Sequence, residues 1–500
     1  MKSVPMSHEV ELKLLIPSNQ RELAIRLCEQ AAHGQAGQAQ RLDNSYFDTP
    51  ELELRQHDIG LRIRRAGEQL EQTLKLAGTT TGGLHSRPEY NVNVTEKTPD
   101  LSLYDESIWP ESLPYMDLQR ELIALFQTDF VRTRWQLASG EGQLEIAFDE
   151  GMVRANGHEQ PICEIEIEVQ GGEVADAFKL ARRLITRTNA QVGYLSKAAR
   201  GYLLAEKSQL QPRTRLDFVP LSSAATVASG LYQALAFALN EWQHNEACLL
   251  RQPDVHAVAG MANGMRLCRV VLQQLASHGV DTQDDLARLE PLLDQLGWLK
   301  RFEAFAELIA DDGAYHLVLK EQQKLYDNIV DLQLHAAQLE VMQKLVTQHD
   351  YQLTVLELGE LIQRAPQDEH MDTPMVIWAA QQLKQDWQNV ADAFDVDEPL
   401  RAEQYLKLLP SLQSSLHLGY CVGYLFAAED REQFRAPWLD MARGIREITA
   451  LKLLRDSIKD TDDINQEKLL NWQQTQLESL LFALDTSRRA ALKQEPYWIN

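Results

Sequence analysis

The chain has 500 residues, too many for one ordinary core, so about two to four domains are expected. Hydrophobic residues make up 44% and charged residues 24%, which excludes a fibrous or mostly disordered protein. The formal net charge of −24 opposes binding to duplex nucleic acid through long-range repulsion. No apolar run approaches the roughly 18 residues of a membrane helix, and we expect no signal peptide before the strand-like segment that starts at His8.

The five cysteines are scattered, and no two of them form a CxxC pair. This pattern argues against a disulfide framework and a cysteine zinc site, so we predict a cytoplasmic protein with no membrane partner. The charge is uneven along the chain. Residues 1–210 hold 23 Lys and Arg against 31 Asp and Glu, a net −8, whereas residues 211–500 hold 26 against 42, a net −16.

Short segments of alternating apolar and polar residues dominate the first 205 residues. They begin at His8, Ile59, Glu71, His85, Phe130, Gln143 and Ile162. Glycine and asparagine clusters separate them, as in an antiparallel meander. Apolar residues at helical spacing predict helices near 18–32 and 173–188, and residues 95–120 are predicted to form an irregular excursion with a short helix.

Beyond about residue 220 the strand-like segments stop and long helical repeats take over. Examples begin at Leu231, Met265, Val318 and Thr373. An all-α bundle of about ten helices is expected there. The chain is thus predicted to be an α+β protein, with a strand-rich domain at 1–205, a linker at 206–220 and a helical domain at 221–500.

The polar face of the strand-like segments is charged in one segment after another. Successive side chains of a strand point to opposite faces, so residues two apart share a face. These faces carry Glu9, Glu11 and Lys13; Arg62 and Arg64; Lys75; Arg87 and Glu89; Arg132 and Arg134; Glu145 and Asp149; and Glu164, Glu166 and Glu168. Basic residues dominate the central segments, and acidic residues dominate the first and the last two.

Two arrangements explain such a face. Charged ladders are common on a sheet face that is exposed to solvent. A barrel closed with the charged face inward explains in addition the separation by sign, the choice of Arg over Lys, and the scarcity of Thr, Ser and Gln.

The inward arrangement requires a ligand, because buried unpaired charge is costly. A polyanion satisfies the basic wall and divalent cations satisfy the acidic wall. Carboxylate oxygens favour Mg²⁺, Mn²⁺ or Ca²⁺ over zinc, and phosphoryl transfer uses this combination of metal and basic groups. The sequence has no Walker A motif, so we expect side chains to hold the phosphates.

The ordered motifs of the first part resemble the CYTH superfamily of triphosphate tunnel metalloenzymes. They are HEVELK (His8–Lys13), SYFDT (Ser45–Thr49), LRIRR (Leu61–Arg65), TLK (Thr73–Lys75), FDEG (Phe148–Gly151), CEIEIEV (Cys163–Val169) and LSKAARGY (Leu195–Tyr202). The resemblance covers about residues 6–205. It implies an eight-stranded antiparallel tunnel that binds a triphosphate and one or two divalent cations, with Mg²⁺ or Mn²⁺ as the expected cofactor.

The resemblance also implies roles for individual residues. The implied phosphate-binding residues are Lys13, Arg62, Arg64, Lys75, Arg87, Arg132 and Arg134. The implied metal-side carboxylates are Glu9, Glu11, Glu145, Asp149, Glu164, Glu166 and Glu168. Lys197 is expected to cap the phosphate chain or to polarise the attacking water, and it joins Glu9 and Glu11 as a catalytic candidate.

The helical half resembles the CHAD domain, a helical bundle with characteristic histidines that is often fused behind this kind of tunnel. His256, within PDVHAVAGMANGMRLCRVVL, matches the first helix histidine of that family. Further candidate histidines are His244 and His417. Positions where the family pattern has arginine hold Ala259, Ala262 and Asn263. We therefore expect a degenerate CHAD domain that serves as a packing or docking partner for the tunnel.

These features predict an inorganic triphosphatase that depends on a metal and hydrolyses tripolyphosphate to pyrophosphate and phosphate. A thiamine or nucleoside triphosphatase and an adenylate cyclase are alternatives that use the same tunnel. A polyphosphate-binding scaffold is the alternative outside enzymes. Carboxylates on the first and last strands argue against the scaffold, since a pure polyanion binder gains nothing from like charge. The sequence leaves the oligomeric state open.

Overall fold

The computed structural model describes residues 6–206, 208–364 and 372–499. Residues 1–5, Lys207 of the predicted linker, residues 365–371 and Asn500 lie outside the described residues. The chain divides into two compact units. The first contains residues 1–211 and 344–363, and the second contains residues 212–343 and 364–500.

Ten strands in the described part of the chain form one sheet in the first unit. They are β1 (Met6–Leu15), β2 (Gln38–Asp48), β3 (Gly60–Ala66), β4 (Gln69–Lys75), β5 (Thr79–Thr81), β6 (Leu84–Val94), β7 (Ile123–Ser139), β8 (Gly142–Ala155), β9 (His158–Gln170) and β10 (Gln191–Val192). Their order is β10-β1-β9-β8-β7-β2-β3-β4-β6-β5, and β1 also pairs with β6. That extra pairing closes eight strands into an antiparallel barrel, with β5 and β10 as short additions to β6 and β1.

The closed barrel confirms the predicted eight-stranded antiparallel fold. The alternating segments had not indicated β2 as a strand. Its buried positions include Asn44 and Tyr46 beside Leu42, so the apolar alternation is broken by an amide. Strand β10 has only two residues, which is too short for an alternating pattern to be recognised in the sequence.

The apolar face of the strands points away from the barrel interior. On β3 and β4, Leu61, Ile63 and Leu74 pack against the excursion between β6 and β7, which contributes Leu101 and Trp109. The excursion contains only short helical turns, as predicted. The hydrophobic core of this unit therefore surrounds the barrel, and the charged face of the strands is left for the interior.

The helices of the first unit that precede residue 206 pack on the outside of the barrel, and one of them also contributes to its interior. They are α1 (Arg21–Ala31), α2 (Glu53–Gln56), α3 (Tyr115–Leu118), α4 (Val174–Thr188) and α5 (Lys197–Ala205). The predicted helices near 18–32 and 173–188 correspond to α1 and α4. On α4, Phe178, Leu184 and Ile185 are fully buried, as its amphipathic spacing requires.

The remaining helices follow residue 220. They are α6 (Val227–Arg251), α7 (Val255–Ser277), α8 (Gln283–Gln295), α9 (Leu299–Ile309), α10 (His316–Lys320), α11 (Gln323–Ala336), α12 (Leu339–Val346), α13 (His349–Gln363), α14 (Met375–Phe394), α15 (Ala402–Val422), α16 (Ala428–Asp460) and α17 (Gln466–Ala491). Helix α13 belongs to the first unit. In the second unit, α9, α11, α16 and α17 share a core that includes Phe305, Ile329 and Leu454.

The helical pattern from Val318 onward is broken twice, after Lys320 and after Ala336, into α10, α11 and α12. Neither break contains glycine or proline, so packing against neighbouring helices decides the breaks and local propensity does not. Twelve α-helices consequently lie beyond residue 220 in the described residues, against about ten expected. Among the described helices, none is long and apolar enough to cross a membrane.

Candidate active site

The barrel encloses a cavity of about 320 Å³, at the lower end of the roughly 300–1,000 Å³ of small-molecule sites. Most of the residues singled out in the sequence line it: Glu9, Glu11, Lys13, Arg62, Arg64, Lys75, Arg87, Arg132, Arg134, Glu145, Glu166, Glu168 and Lys197. The two others, Asp149 and Glu164, have no exposed surface. The alternating charged face of the strands thus forms the inside of the barrel.

The strand register arranges the carboxylates of β1, β9 and β8 in rows. Glu11 lies opposite Glu168, and Glu168 lies opposite Glu145. Four residues earlier on β9, Glu164 lies opposite Asp149. Asp149 in turn lies opposite Arg132 on β7. Adjacent strands therefore form two rows at neighbouring levels of the barrel. The row of Glu11, Glu168 and Glu145 contains carboxylates, and the row of Glu164, Asp149 and Arg132 contains both carboxylates and a cation.

One group of side chains forms a dense ion-pair network, which we call the paired cluster: Lys13, Arg132, Asp149, Glu164, Glu166, Lys197 and Arg200. The Nζ of Lys197 lies 2.6 Å from Asp149 Oδ2 and 2.8 Å from Glu166 Oε1. The Nζ of Lys13 lies 2.8 Å from Glu164 Oε1 and also contacts Glu166. Each of these ammonium groups is therefore held by at least two carboxylates.

Two arginines complete the paired cluster. Arg132 donates two hydrogen bonds of 2.7 Å to the two oxygens of Asp149 and also contacts Glu166. Arg200 donates from Nη1 to Glu164 Oε2 at 3.0 Å and from Nη2 to the carbonyl oxygen of Pro161 at 2.8 Å. The bidentate pair of Arg132 with Asp149 has the geometry of the strongest charge-assisted hydrogen bonds.

Ionisation within the paired cluster is mutually stabilised. Burial alone would lower the pKa of Lys13, but Glu164 and Glu166 raise it well above its ordinary value. Burial would raise the pKa of Glu164, but Lys13, Lys197 and Arg200 lower it to about 2. The carboxylates of Asp149, Glu164 and Glu166 lie within 4.8 Å of one another, and the ammonium groups of Lys13 and Lys197 contact oxygens of all three.

A second group of cations, the open basic wall, consists of Arg62, Arg64, Arg87 and Arg134. Among the described residues, the buried Nε atoms of Arg62, Arg87 and Arg134 have no hydrogen-bond partner. Their carboxylate neighbours lie beyond hydrogen-bond distance: 3.9 Å separates Arg62 from Glu89, and 3.6 Å separates Arg87 from Asp58 and Arg134 from Glu145.

Within this wall, the electrostatics at Arg64 are the reverse of those in the paired cluster, whereas Tyr46 and Glu89 raise the pKa of Arg62 against the effect of burial. Burial, together with the neighbouring charges of Arg62 and Arg132, lowers the pKa of Arg64 to about 9. Arg64 donates from Nε to the side-chain oxygen of Asn44 at 2.9 Å, which is a neutral partner. Like charges that repel and donors that lack acceptors favour a bound anion at this surface.

The third group, the acidic row, consists of Glu9, Glu11, Glu145 and Glu168. Burial raises the pKa of Glu11 to about 8, and the charges of Glu166 and Glu9 add to the rise. Burial, Glu9 and Glu145 likewise raise the pKa of Glu168. Carboxylates crowded in this way favour a cation between them, and a donor set made only of oxygens fits Mg²⁺ or Mn²⁺.

Lys75 links the basic and acidic groups, because its Nζ contacts Glu9 and lies 2.9 Å from Glu89. Lys197 enters from helix α5 rather than from a strand. Ser196 caps that helix by accepting a hydrogen bond from the backbone N–H of Ala199 at 3.1 Å, the usual geometry of a serine N-cap. The cap places Lys197 at the first helical position, on the cavity surface.

Several cavity or cluster residues had not been singled out from the sequence. Arg200 follows Lys197 by three residues, a spacing that places both on one face of a helix and could have identified it. Glu89 shares a strand face with Arg87 but had been given no role. His85 and Tyr46 line the cavity, and neither carries a charge pattern that sequence reasoning could use.

Among the described residues of the helical half, His244, His256 and His417 do not form a comparable site. His256 is exposed and contacts Asp254, with 3.0 Å between Nδ1 and Oδ1. His417 is half-buried, and loss of solvent lowers its pKa to about 4, while its Nδ1 lies 2.6 Å from the carbonyl oxygen of Gln413. His244 is buried on α6.

Comparison with known proteins agrees with this geometry. The family model described as "CYTH domain" matches residues 7–202, and the model described as "CHAD domain" matches residues 233–459. A protein of Haemophilus influenzae named "Inorganic triphosphatase" is 38% identical over 208 residues. The match covers 41% of this chain and 57% of that relative, so the chain spans little more than half of the relative's length.

Solved structures resemble each part of the chain separately. A Hippeastrum protein, described as an adenylyl cyclase with a dominant triphosphatase activity, is 21% identical over 40% of this chain and 96% of that chain, with a TM-score of 0.32. The CHAD domain of the plant Ricinus communis is 14% identical over 57% of this chain and 98% of that chain, with a TM-score of 0.45. The family models place a CYTH domain at residues 7–202 and a CHAD domain at residues 233–459.

Proposed function

We propose that the chain is a metal-dependent inorganic triphosphatase that hydrolyses tripolyphosphate to pyrophosphate and phosphate in the barrel cavity. The observation that carries the proposal is the open basic wall, which shares one cavity with the acidic row. A phosphate chain accompanied by a divalent cation complements both surfaces at once. The name of the Haemophilus influenzae relative supports the same activity.

The open basic wall binds the nonbridging phosphate oxygens in this proposal. Arg62, Arg87 and Arg134 contribute buried N–H groups that have no hydrogen-bond partner within the described part of the chain. Arg64, whose pKa is lowered by burial and by two neighbouring arginines, gains an opposite charge when the anion binds. Guanidinium forks suit phosphate oxygens because they donate two parallel hydrogen bonds.

The acidic row would hold Mg²⁺ or Mn²⁺ through Glu9, Glu11, Glu145 and Glu168, with Glu166 beside them. A divalent cation bound there neutralises phosphate charge and lowers the pKa of water. Asp149 and Glu164, also candidates for metal ligands, are fully buried and bonded to Arg132, Lys197 and Arg200. We assign these two carboxylates to holding the cations of the paired cluster.

Hydrolysis in this cavity breaks one phosphoanhydride bond. The oxygen of water bonds to the terminal phosphorus while the bridging P–O bond breaks and pyrophosphate leaves with its electron pair. The proton of the water passes to a carboxylate of the acidic row. Lys197, on the cavity surface, keeps an ammonium group near the phosphate chain, and the basic wall stabilises the charge that develops on the equatorial oxygens.

The aromatic side chains in the cavity support an inorganic substrate over a nucleotide or thiamine triphosphate. The ring of Tyr46 is stacked on Phe126, with 4.5 Å between centroids. The ring of Phe130 lies under Lys197, whose Nζ is 5.2 Å from its centroid. Tyr46 and Phe130 are thus each in contact with another side chain of the protein, which reduces the aromatic surface left for a base.

The test is phosphate release from tripolyphosphate, ATP and thiamine triphosphate, each with Mg²⁺, with Mn²⁺ and with excess EDTA. We expect tripolyphosphate to be preferred and EDTA to abolish turnover. A Glu9→Gln, Glu11→Gln double variant should lose activity, whereas Glu51→Gln, Glu53→Gln, which has the same spacing outside the cavity, should not.

Three outcomes would overturn parts of the proposal. Undiminished activity in EDTA would remove the metal from the mechanism. A folded Glu9→Gln, Glu11→Gln variant with normal turnover would remove the acidic row from the site. Stoichiometric binding of tripolyphosphate without any turnover would leave a polyphosphate-binding module in place of an enzyme.

A further inference from the structure

Helix α13 belongs to the barrel unit although it comes from the helical part of the sequence, more than 140 residues after α5. Arg182 on α4 donates to Glu357 at 2.6 and 2.9 Å and to Glu360 at 2.6 Å. Gly359 lies against the β5–β6 turn, where a Cβ on Gly82 would approach the Cα of Gly359 to 2.4 Å. Helix α13 is therefore fixed at two points, on α4 and on the turn before β6.

A third attachment runs through the side chain of Gln352, which has no exposed surface. Its Oε1 accepts a hydrogen bond of 2.7 Å from the backbone N–H of Val192. Its Nε2 donates to the carbonyl oxygen of Val346 at 2.6 Å. The amide is thus used at both ends, and it supplies a partner to the backbone of β10 that a hydrophobic side chain cannot supply.

The residues that follow Val192 contact the phosphate-binding candidates directly. The backbone N–H of Gly193 donates to the carbonyl oxygen of Lys13 at 2.8 Å. Its carbonyl oxygen lies 3.0 Å from Nε2 of His85, which lines the cavity. A Cβ at Gly193 would approach the Cγ of Lys13 to 2.5 Å, so glycine is required for the backbone to lie this close.

Four residues after Gly193, the same segment delivers Lys197 to the cavity. The stretch 191–197 therefore runs from the Gln352 amide past Lys13 to the first residue of α5. Both ammonium groups of the paired cluster depend on the path of this segment. Helix α13 is the element that holds the start of the segment from outside the barrel.

We propose that Gln352 is a positioning residue for the anion site: it fixes the segment 191–197 and, through it, Lys13 and Lys197. The residue touches neither substrate nor metal, and its effect is transmitted through the backbone of Val192 and Gly193. The identity of the ligand, tripolyphosphate, rests on the proposed function. The positioning role rests on the contacts of Gln352 with Val192 and of Gly193 with Lys13.

The experiment uses the full chain with Gln352→Met, which keeps the length of the side chain and removes both hydrogen bonds. The matched control is Gln473→Met in the second unit. Gln473 is also buried and donates from Nε2 to a helix carbonyl, that of Leu451, at 2.9 Å. Amide hydrogen exchange of residues 191–197 is measured without ligand, and tripolyphosphate affinity is measured by calorimetry in EDTA.

We expect Gln352→Met to speed exchange in residues 191–197 and to weaken tripolyphosphate binding by about tenfold, the scale of a lost supporting contact. Gln473→Met should match the unmodified protein in both measurements. Unchanged exchange in residues 191–197, or an equal loss of affinity in Gln473→Met, would overturn the proposal. If the unmodified protein fails to hydrolyse tripolyphosphate, the proposed function fails, but the exchange result still decides the positioning role.

A second variant keeps the test decisive if Gln352→Met does not fold. Arg182→Gln removes the ion pairs to Glu357 and Glu360 at a partly exposed position and creates no cavity. We expect the same direction of change in exchange and in affinity, of smaller size. Exchange and affinity equal to those of the unmodified protein would overturn the role of α13.

Discussion

The paired cluster and the open basic wall both lie in the barrel interior, but they differ in how their buried positive charges are paired. In the paired cluster, Lys13 and Lys197 share carboxylates at 2.6–2.8 Å, and the pKa of each lysine is raised by its carboxylate partners against the effect of burial. In the wall, burial and like charges lower the pKa of Arg64. One region pairs its charges within the fold, and the other leaves the buried Nε atoms of three arginines without a hydrogen-bond partner among the described residues.

The difference predicts where substitutions act. Removing one partner of a buried, fully paired network leaves an uncompensated charge and costs stability. Removing one of several repelling arginines costs binding and catalysis, and it relieves the folded state of like charge. Functional sites often contain groups that destabilise the folded state, and interactions elsewhere in the fold offset that cost.

The largest stability effect is expected for Lys197→Met. It leaves Asp149, Glu164 and Glu166 short of one ammonium group, and breaking a buried network of this kind costs about 3–5 kcal/mol. Urea unfolding measures the loss. Lys179→Met, at an exposed position on α4, is the matched control and should unfold as the unmodified protein does. An unchanged midpoint for Lys197→Met would show that the paired cluster does not stabilise the fold.

The largest effect on activity without loss of stability is expected for Arg64→Met. Loss of one preorganised charged donor typically lowers turnover by about 100-fold or more. Because the substitution also removes a charge that Arg62 and Arg132 repel, the free energy of unfolding should stay the same or rise. The measurements are kcat/KM for tripolyphosphate and urea unfolding of the same preparation. A lower free energy of unfolding for Arg64→Met would contradict the prediction that the wall, unlike the paired cluster, does not stabilise the fold.

Ligand binding should complete the wall and stabilise the fold. Tripolyphosphate at about 100 times its Kd adds about 2.7 kcal/mol to the free energy of unfolding by mass action. We expect this shift in EDTA for the unmodified protein and a smaller one, at the same ligand concentration, for Arg64→Met. Thermal unfolding with and without ligand provides the measurement. Equal shifts in the two proteins would mean that the anion binds away from the wall.

The charged interior could be predicted from the sequence because a strand places residues two apart on one face. That rule alone set Arg62 and Arg64 together and Glu164, Glu166 and Glu168 together, and the structure places these faces inside the barrel. The apolar residues between them, such as Ile63 and Ile165, are buried on the other face. Closure of the barrel followed from the family resemblance and from the cost of burying charge.

The division of that interior into two regions could not be predicted, because it depends on the register between strands. Glu164 and Glu168 belong to one motif, yet Glu164 lies opposite Asp149 in the paired cluster and Glu168 lies opposite Glu145 in the acidic row. Arg200 and Gln352 were missed for a related reason. Their partners, Glu164 and Val192, lie far from them in the sequence. The spacing of Arg200 from Lys197 indicates a shared helix face, but no local pattern records the partner of either residue.

The smallest effect is expected for Arg65→Gln, directly beside Arg64 in the sequence. Arg65 lies on the outer face of β3, where its side chain is 54% exposed and contacts Asp43 on β2. Exposed ion pairs contribute roughly 0.2–1 kcal/mol, so urea unfolding should shift by less than about 1 kcal/mol. Tripolyphosphate hydrolysis should not change, since the guanidinium faces away from the cavity. If Arg65→Gln lost activity as Arg64→Met does, neighbouring residues on opposite faces of β3 would have the same role. The charge of the motif as a whole, and not the inward face of the strand, would then determine phosphate binding.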